Sequence, residues 1–110
     1  MKQILCFRMI DPEFFSEYGA VVEVETVDFP GLFNIGDTIA GLKNTWTYTI
    51  SYTPVGGDKE IKDTGAVGTQ SEEWSIYIYE FFYNQECVVD SRGFFFDPDI
   101  VYIHFKGIPN

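Results

Sequence analysis

Trp46-Thr47-Tyr48-Thr49-Ile50-Ser51-Tyr52-Thr53 is the stretch whose reading decides the fold class. Trp46, Tyr48, Ile50 and Tyr52 fall on one side of an extended chain and a row of hydroxyls on the other. That is the period of two of a half-buried strand, written in aromatic and β-branched residues that pack well on a pleated surface. Ala20 to Val27 repeats the period, with Val22, Val24 and Thr26 alternating with Val21, Glu23 and Glu25. Trp74, Ile76 and Ile78 alternate with Ser75, Tyr77 and Tyr79, so Trp74 to Tyr83 reads as a long strand, its propensity outweighing the capping-box match Thr69-x-x-Glu72 just upstream.

Working outward, residues 2–10 form a first, mostly apolar strand that ends at Asp11-Pro12. Asp11 as cap, Pro12 at the first helical position, Glu13 at the positive end of the dipole and Gly19 as a stop make one or two helical turns over 12–18 an expectation beside a plain loop. Around Ile39 and Leu42, strand and short helix remain alternatives. Pro54 to Gly57 is a turn, Asp58 to Lys62 is a hairpin arm or mobile loop, and 63–71 is a Gly/Thr/Ser-rich loop. Cys87–Val89, Phe94–Phe96 and Ile100–Phe105 read as short strands punctuated by Ser91-Arg92-Gly93 and Asp97-Pro98-Asp99, with Gly107 and Pro109 ending the order. The expected fold is mainly β: one domain over 1–110, an antiparallel sandwich or partly open barrel of about seven or eight short strands with one or two short helices. The alternative is α+β, a helix near 12–18 or 38–44 packed on one antiparallel sheet.

At 110 residues, 45% of them hydrophobic and 18% aromatic, the chain has ample material for one core. Its net charge of −10 is spread over both halves, 7 acids against 3 bases in residues 1–55 and 10 against 4 in 56–110. A surface this negative repels the phosphate backbone, so nucleic acid is not an expected partner. No apolar run approaches a membrane span and no signal-peptide h-region follows Met1, which makes the expected site of folding cytoplasmic. Cys6 and Cys87 lie far apart without CxxC spacing and are expected to be buried thiols.

No catalytic signature emerges, and neither a cofactor nor a metal is implied. His104 is the only histidine; it shares a strand face with Ile100, Tyr102 and Lys106, and as a general base it would need a cysteine or serine nucleophile brought by folding. Asp97-Pro98-Asp99 begins like an EF-hand loop but places Tyr102 where glycine is required, so it reads as an Asp-capped turn. Glu23 and Glu25 share a strand face with Cα atoms roughly 6.5–7 Å apart, close enough for paired-carboxylate chemistry but without an apolar wall to raise one pKa. Gly56-Gly57-Asp58-Lys59 lacks the remainder of a phosphate loop.

What stands out is acidity combined with aromatics. Tyr and Trp concentrate at binding hot spots, and the rows Trp46/Tyr48/Tyr52 and Tyr77/Tyr79/Tyr83 compete for the core and for a binding surface. In size, acidity and lack of enzyme signatures, the whole chain resembles the small bacterial immunity proteins that neutralise nuclease toxins, including those of contact-dependent growth inhibition. Those families share no common motif, so no functional residue carries over. The resemblance implies a cytoplasmic, protein-binding toxin inhibitor, or antitoxin, that masks a basic toxin or nuclease. Charge, hydropathy and the lack of catalytic motifs add the expectation of a non-enzymatic monomer or weak homodimer that engages neither nucleic acid nor membrane. Loop-presented carboxylates are its expected contacts: Asp58, Glu60 and Asp63; Glu72 and Glu73 beside Trp74; and Asp97 with Asp99. The alternative is a β-sandwich module binding carbohydrate or another small ligand on an aromatic row.

Overall fold

The computed structural model describes residues 2–9, 20–27, 29–54, 56–70, 72, 75, 82–94 and 97–109. Seven strands form one mixed sheet: β1 (Lys2–Met9), β2 (Ala20–Glu25), β3 (Thr38–Ile39), β4 (Thr47–Tyr52), β5 (Glu60–Ala66), β6 (Gln85–Gly93) and β7 (Ile100–Pro109). Their order is β3-β6-β7-β1-β2-β4-β5, leaving β3 and β5 as edges. The mainly β expectation therefore holds. Among the described residues there is no second sheet facing the first, and the sheet is open.

One pairing departs from the antiparallel expectation. β1 and β7 run parallel at the centre, with Leu5 opposite Ile103 and Phe7 opposite Phe105. Both strands are apolar on both faces over much of their length, as central strands flanked on either side tend to be. The remaining pairs, β1·β2, β2·β4, β4·β5, β3·β6 and β6·β7, are antiparallel.

The alternation read from sequence sets the core on one face of this sheet. Leu5 and Phe7 of β1, Val22 and Val24 of β2, Tyr48 and Ile50 of β4, Cys87 and Val89 of β6, and Val101, Ile103 and Phe105 of β7 are all buried there. A second sheet is not needed to cover them, because Phe29, Phe33, Ile39, Leu42, Trp46, Val67 and Phe82 pack against that face. The long connection after β2 is pinned in place by a buried side chain: Gln3 Oε1 accepts from the Phe33 N–H at 2.8 Å, while its Nε2 donates to Thr26 Oγ1 at 3.1 Å. Phe29 and Phe33 then stack at 5.3 Å, and Phe33 meets Phe105 edge-on at 5.6 Å.

Four local readings change. Ser75, Phe82 and Tyr83, expected in a strand, are helical, as are Glu72 and Asn84, and Phe82 packs edge-on against Phe7 at 5.5 Å. The segment that suggested alternation also places Trp74, Tyr77, Ile78, Phe81 and Phe82 at helical spacing behind the acids Glu72 and Glu73, and this second period fits the described residues. Ser91-Arg92-Gly93, expected as a turn, continues β6, which pairs with β7 through a register shift between Val89 and Ser91. β7 runs on through Gly107 to Pro109, with Gly107 lying against the Gln85 side chain, where a larger residue would collide. The Gly-containing stretch after Asp63 is partly strand as well: Gly65 sits in β5 at φ +151, under the Tyr48 ring, before a 3-10 turn at Val67–Thr69. The helical turns expected over 12–18 lie outside the described residues, and so do Phe95 and Phe96.

Candidate functional site

Strand directions decide which of the expected contact carboxylates meet. β4 and β5 turn at one end of the sheet, and β6 and β7 turn at the other, where Ile100 stands opposite Lys2. Asp58 and Glu60 therefore lie at one end and Asp97 and Asp99 at the opposite one. Glu72 is exposed and follows the turn that leaves β5 at its Ala66 end. Glu73 and Trp74 are outside the described residues. Among the described residues, the expected contact acids fall at two separate ends of the sheet instead of in one patch.

The acids also differ in how much of them is free. Asp58 is exposed beyond the turn at Gly56, whose φ of +74 suits glycine. Glu60 lies on the β5 edge and pairs with Lys62 at 3.5 Å. The Tyr52 hydroxyl, followed by Lys62, holds its carboxyl below the usual range, and the same hydroxyl raises Lys62. Asp63 has a structural role, because its Oδ2 accepts from the buried Tyr48 hydroxyl at 2.6 Å and its Oδ1 from the Thr64 N–H at 3.0 Å. Burial, then that hydrogen bond, drives the Tyr48 phenol well above its ordinary value. At the other end Asp97 Oδ1 accepts from the Asp99 N–H at 2.8 Å, while the Asp99 carbonyl accepts from the Lys2 N–H at 2.8 Å. This is the Asp-capped turn expected from sequence; it fixes the backbone while both residues remain exposed.

The cations, by contrast, are largely spent inside the molecule. Lys2 pairs with Glu25 at 3.4 Å, Lys59 with Glu23 at 3.2 Å and Lys106 with Asp90 at 3.5 Å, in addition to Lys62 with Glu60. Lys43 stands over the Phe29 and Trp46 rings at 5.4 and 5.8 Å, and Arg92 donates to Asn34 Oδ1 at 2.7 Å. Of the seven Lys and Arg, only Arg8 has no such contact among the described residues. Exposed ion pairs of this kind add little stability, typically under about 1 kcal/mol each, but they occupy most of the cations while Asp58, Glu72, Asp97 and Asp99 stay exposed.

The sheet face away from the core carries a row that sequence reasoning did not assemble. Register places His104 beside Cys6 and Ser91, Cys6 beside Glu23, and Glu23 beside Thr49, which bonds to Thr64 at 3.2 Å. His104 does occupy the face expected for it, and a thiol and a hydroxyl are brought alongside. The thiol is poorly suited to attack. Burial, reinforced by Glu23 and opposed by Lys59, pushes Cys6 from 9.0 up to about 12. It is ionised at pH 7 in roughly one molecule in 10⁵ on that value. Glu23 and Glu25, side by side on this face, are each neutralised by a lysine, which is the ordinary surface role. No cluster of three or more His, Cys, Asp or Glu able to hold a metal occurs among the described residues.

Both leading members of the first aromatic row go to the core: Trp46 and Tyr48 are each 2% exposed. Tyr52 is half-buried and Tyr83 is 82% exposed, while Tyr77 and Tyr79 fall outside the described residues. Cys6 and Cys87 are buried free thiols, as expected. No described helix is long and apolar enough to cross a membrane. No protein-family model matches this chain, and no characterised protein or solved structure was found similar to it.

Proposed function

We propose that this protein is a cytoplasmic, immunity-type inhibitor that captures a basic toxin or nuclease domain through its exposed carboxylates. The observation carrying this reading is the distribution of charge: a chain of net charge −10 engages six of its seven cations internally and leaves exposed acids at both ends of the sheet. Such a surface steers a cationic partner and occupies groups that would otherwise hold phosphates. Asp97 and Asp99 are the best-presented contacts, because their turn is fixed by its own hydrogen bonds and tied to β1. Asp58 and Glu72 are secondary, and Asp63 contributes through the fold. The carbohydrate-module alternative loses Trp46 and Tyr48 to the core and rests on the second aromatic row, of which Tyr83 is exposed.

The test compares neutralised ends. With a cationic nuclease domain that the wild type inhibits, Asp97→Asn/Asp99→Asn slows association by roughly tenfold, and Asp58→Asn/Glu60→Gln slows it less. Equal association rates for wild type and both variants would remove the acidic ends from the mechanism.

A further inference from the structure

The sheet ends at β5, and no strand pairs with its outer edge among the described residues. An unpaired edge of seven residues presents backbone N–H and C=O groups that another strand can use. Edges are commonly blunted by charges, and β5 carries three in its first four residues, Glu60, Lys62 and Asp63, around an Ile61 that is 63% exposed. Their order determines which pairings they tolerate.

Glu60 and Lys62 lie on one side of the strand, where both meet Tyr52; Lys62 Nζ stands 4.4 Å from its ring centre and 3.5 Å from the Glu60 carboxylate. Ile61, between them in sequence, faces the other way. The register shift opposite Ile50 and Ser51 makes Lys62 the extra residue of a β-bulge, so the alternation restarts after it. A second β5 laid antiparallel about an axis at Ile61 sets Glu60 against Lys62 of the second copy, Lys62 against its Glu60, and Ile61 against Ile61. An axis at Asp63 would instead oppose two carboxylates.

We propose that β5 pairs antiparallel with β5 of a second copy of this chain, in the register centred on Ile61, joining two seven-stranded sheets edge to edge. One strand pair buries far less than the ~1,600 Å² of a standard interface, so the dimer is weak. It covers Glu60 and leaves Asp97 and Asp99, at the far end of the sheet, open on each copy. Two chains of charge −10 repel at long range, and salt screens that repulsion before it affects the close cross-strand pairs. Dimerisation therefore strengthens between low and physiological salt, whereas capture of a cationic partner weakens. The two proposals stand or fall separately.

Sedimentation equilibrium in about 0.15 M salt tests the pairing. The weight-average mass of the wild type rises with concentration from 12.6 kDa toward twice that value. Ile61→Lys, which sets two like charges at the axis, stays at the monomer mass. Glu60→Lys also stays monomeric, and Glu60→Lys/Lys62→Glu, which restores complementarity in reverse, recovers association. Thermal melts confirm that each variant is folded, and Ile61→Lys alone decides the matter if a Glu60 variant unfolds. A wild type that stays at 12.6 kDa up to several hundred micromolar, or a folded Ile61→Lys that associates as well as the wild type, overturns the proposal.

Discussion

Raising the pH should destabilise this protein through its two thiols before other groups contribute much. Cys6 is pushed up to about 12 and Cys87 to about 11, both mainly by burial, against an ordinary value of 9.0. Because both folded values lie above the unfolded one, the native state prefers the protonated thiols. Their stabilisation is fully present below pH 9 and is lost as pH rises from there toward 11 and 12. At pH 10, one unit above the unfolded value, each thiol has withdrawn about 1.4 kcal/mol, or roughly 3 kcal/mol together. That is a large share of the ~5–15 kcal/mol that holds a domain of this size. With a urea slope near 1.5 kcal/mol/M, the midpoint falls by about 2 M between pH 8 and pH 10. Urea titrations followed by circular dichroism at half-unit pH steps measure it. Cys6→Ala starts lower at pH 8 for lost packing but falls only about half as far, and Cys6→Ala/Cys87→Ala is nearly flat. A wild-type midpoint unchanged up to pH 10, or a double variant falling as steeply as wild type, would refute the assignment of the loss to these thiols.

Other outcomes follow from single contacts. Phe7 stacks on Phe105 at 4.7 Å and meets Phe82 edge-on, so Phe7→Ala should cost about 3–5 kcal/mol in urea titration; a loss below 1 kcal/mol would place Phe7 outside the core. Tyr48→Phe removes the donor to a half-buried carboxylate and should cost about 1.5–3 kcal/mol, with Asp63→Asn milder because an amide oxygen still accepts from the hydroxyl. Equal melting temperatures for wild type and Tyr48→Phe would show that the hydrogen bond contributes nothing net. Lys59→Met, which breaks an exposed pair with Glu23, should change stability by less than about 1 kcal/mol.

Strands with one wet face were legible in the sequence. β2 and β4 show their burial directly in the alternation of Val22, Val24, Tyr48 and Ile50, and β1 and β7 stand out through their apolar runs. Pairing was not legible, because nothing local specifies that the first and last strands lie side by side and parallel. For the same reason the neighbourhood of His104, Cys6 and Glu23 could not be read in advance. Trp74 to Tyr83 misled through its composition: bulky aromatics satisfy both the strand period and the helix period, and strand propensity favoured the wrong one at the described residues. Of the expected contact acids, Asp63 looked no different in sequence from Asp58 or Glu60. Only the fold supplies Tyr48 as its partner and turns it from a surface candidate into a structural one. The solvent-facing role of Asp97 and Asp99 was legible because Asp-Pro-Asp between two apolar runs is turn chemistry wherever it occurs.

The most direct test of the inhibitor reading is the salt dependence of association with cationic nuclease-toxin domains, measured by stopped-flow fluorescence or surface plasmon resonance alongside nuclease activity. At least one such domain should bind and lose its activity at one-to-one stoichiometry, with an association rate that falls at least tenfold from about 0.05 to 0.5 M salt. Absence of binding to every cationic domain at about 0.05 M salt, where an acidic surface acts most strongly, would contradict the account.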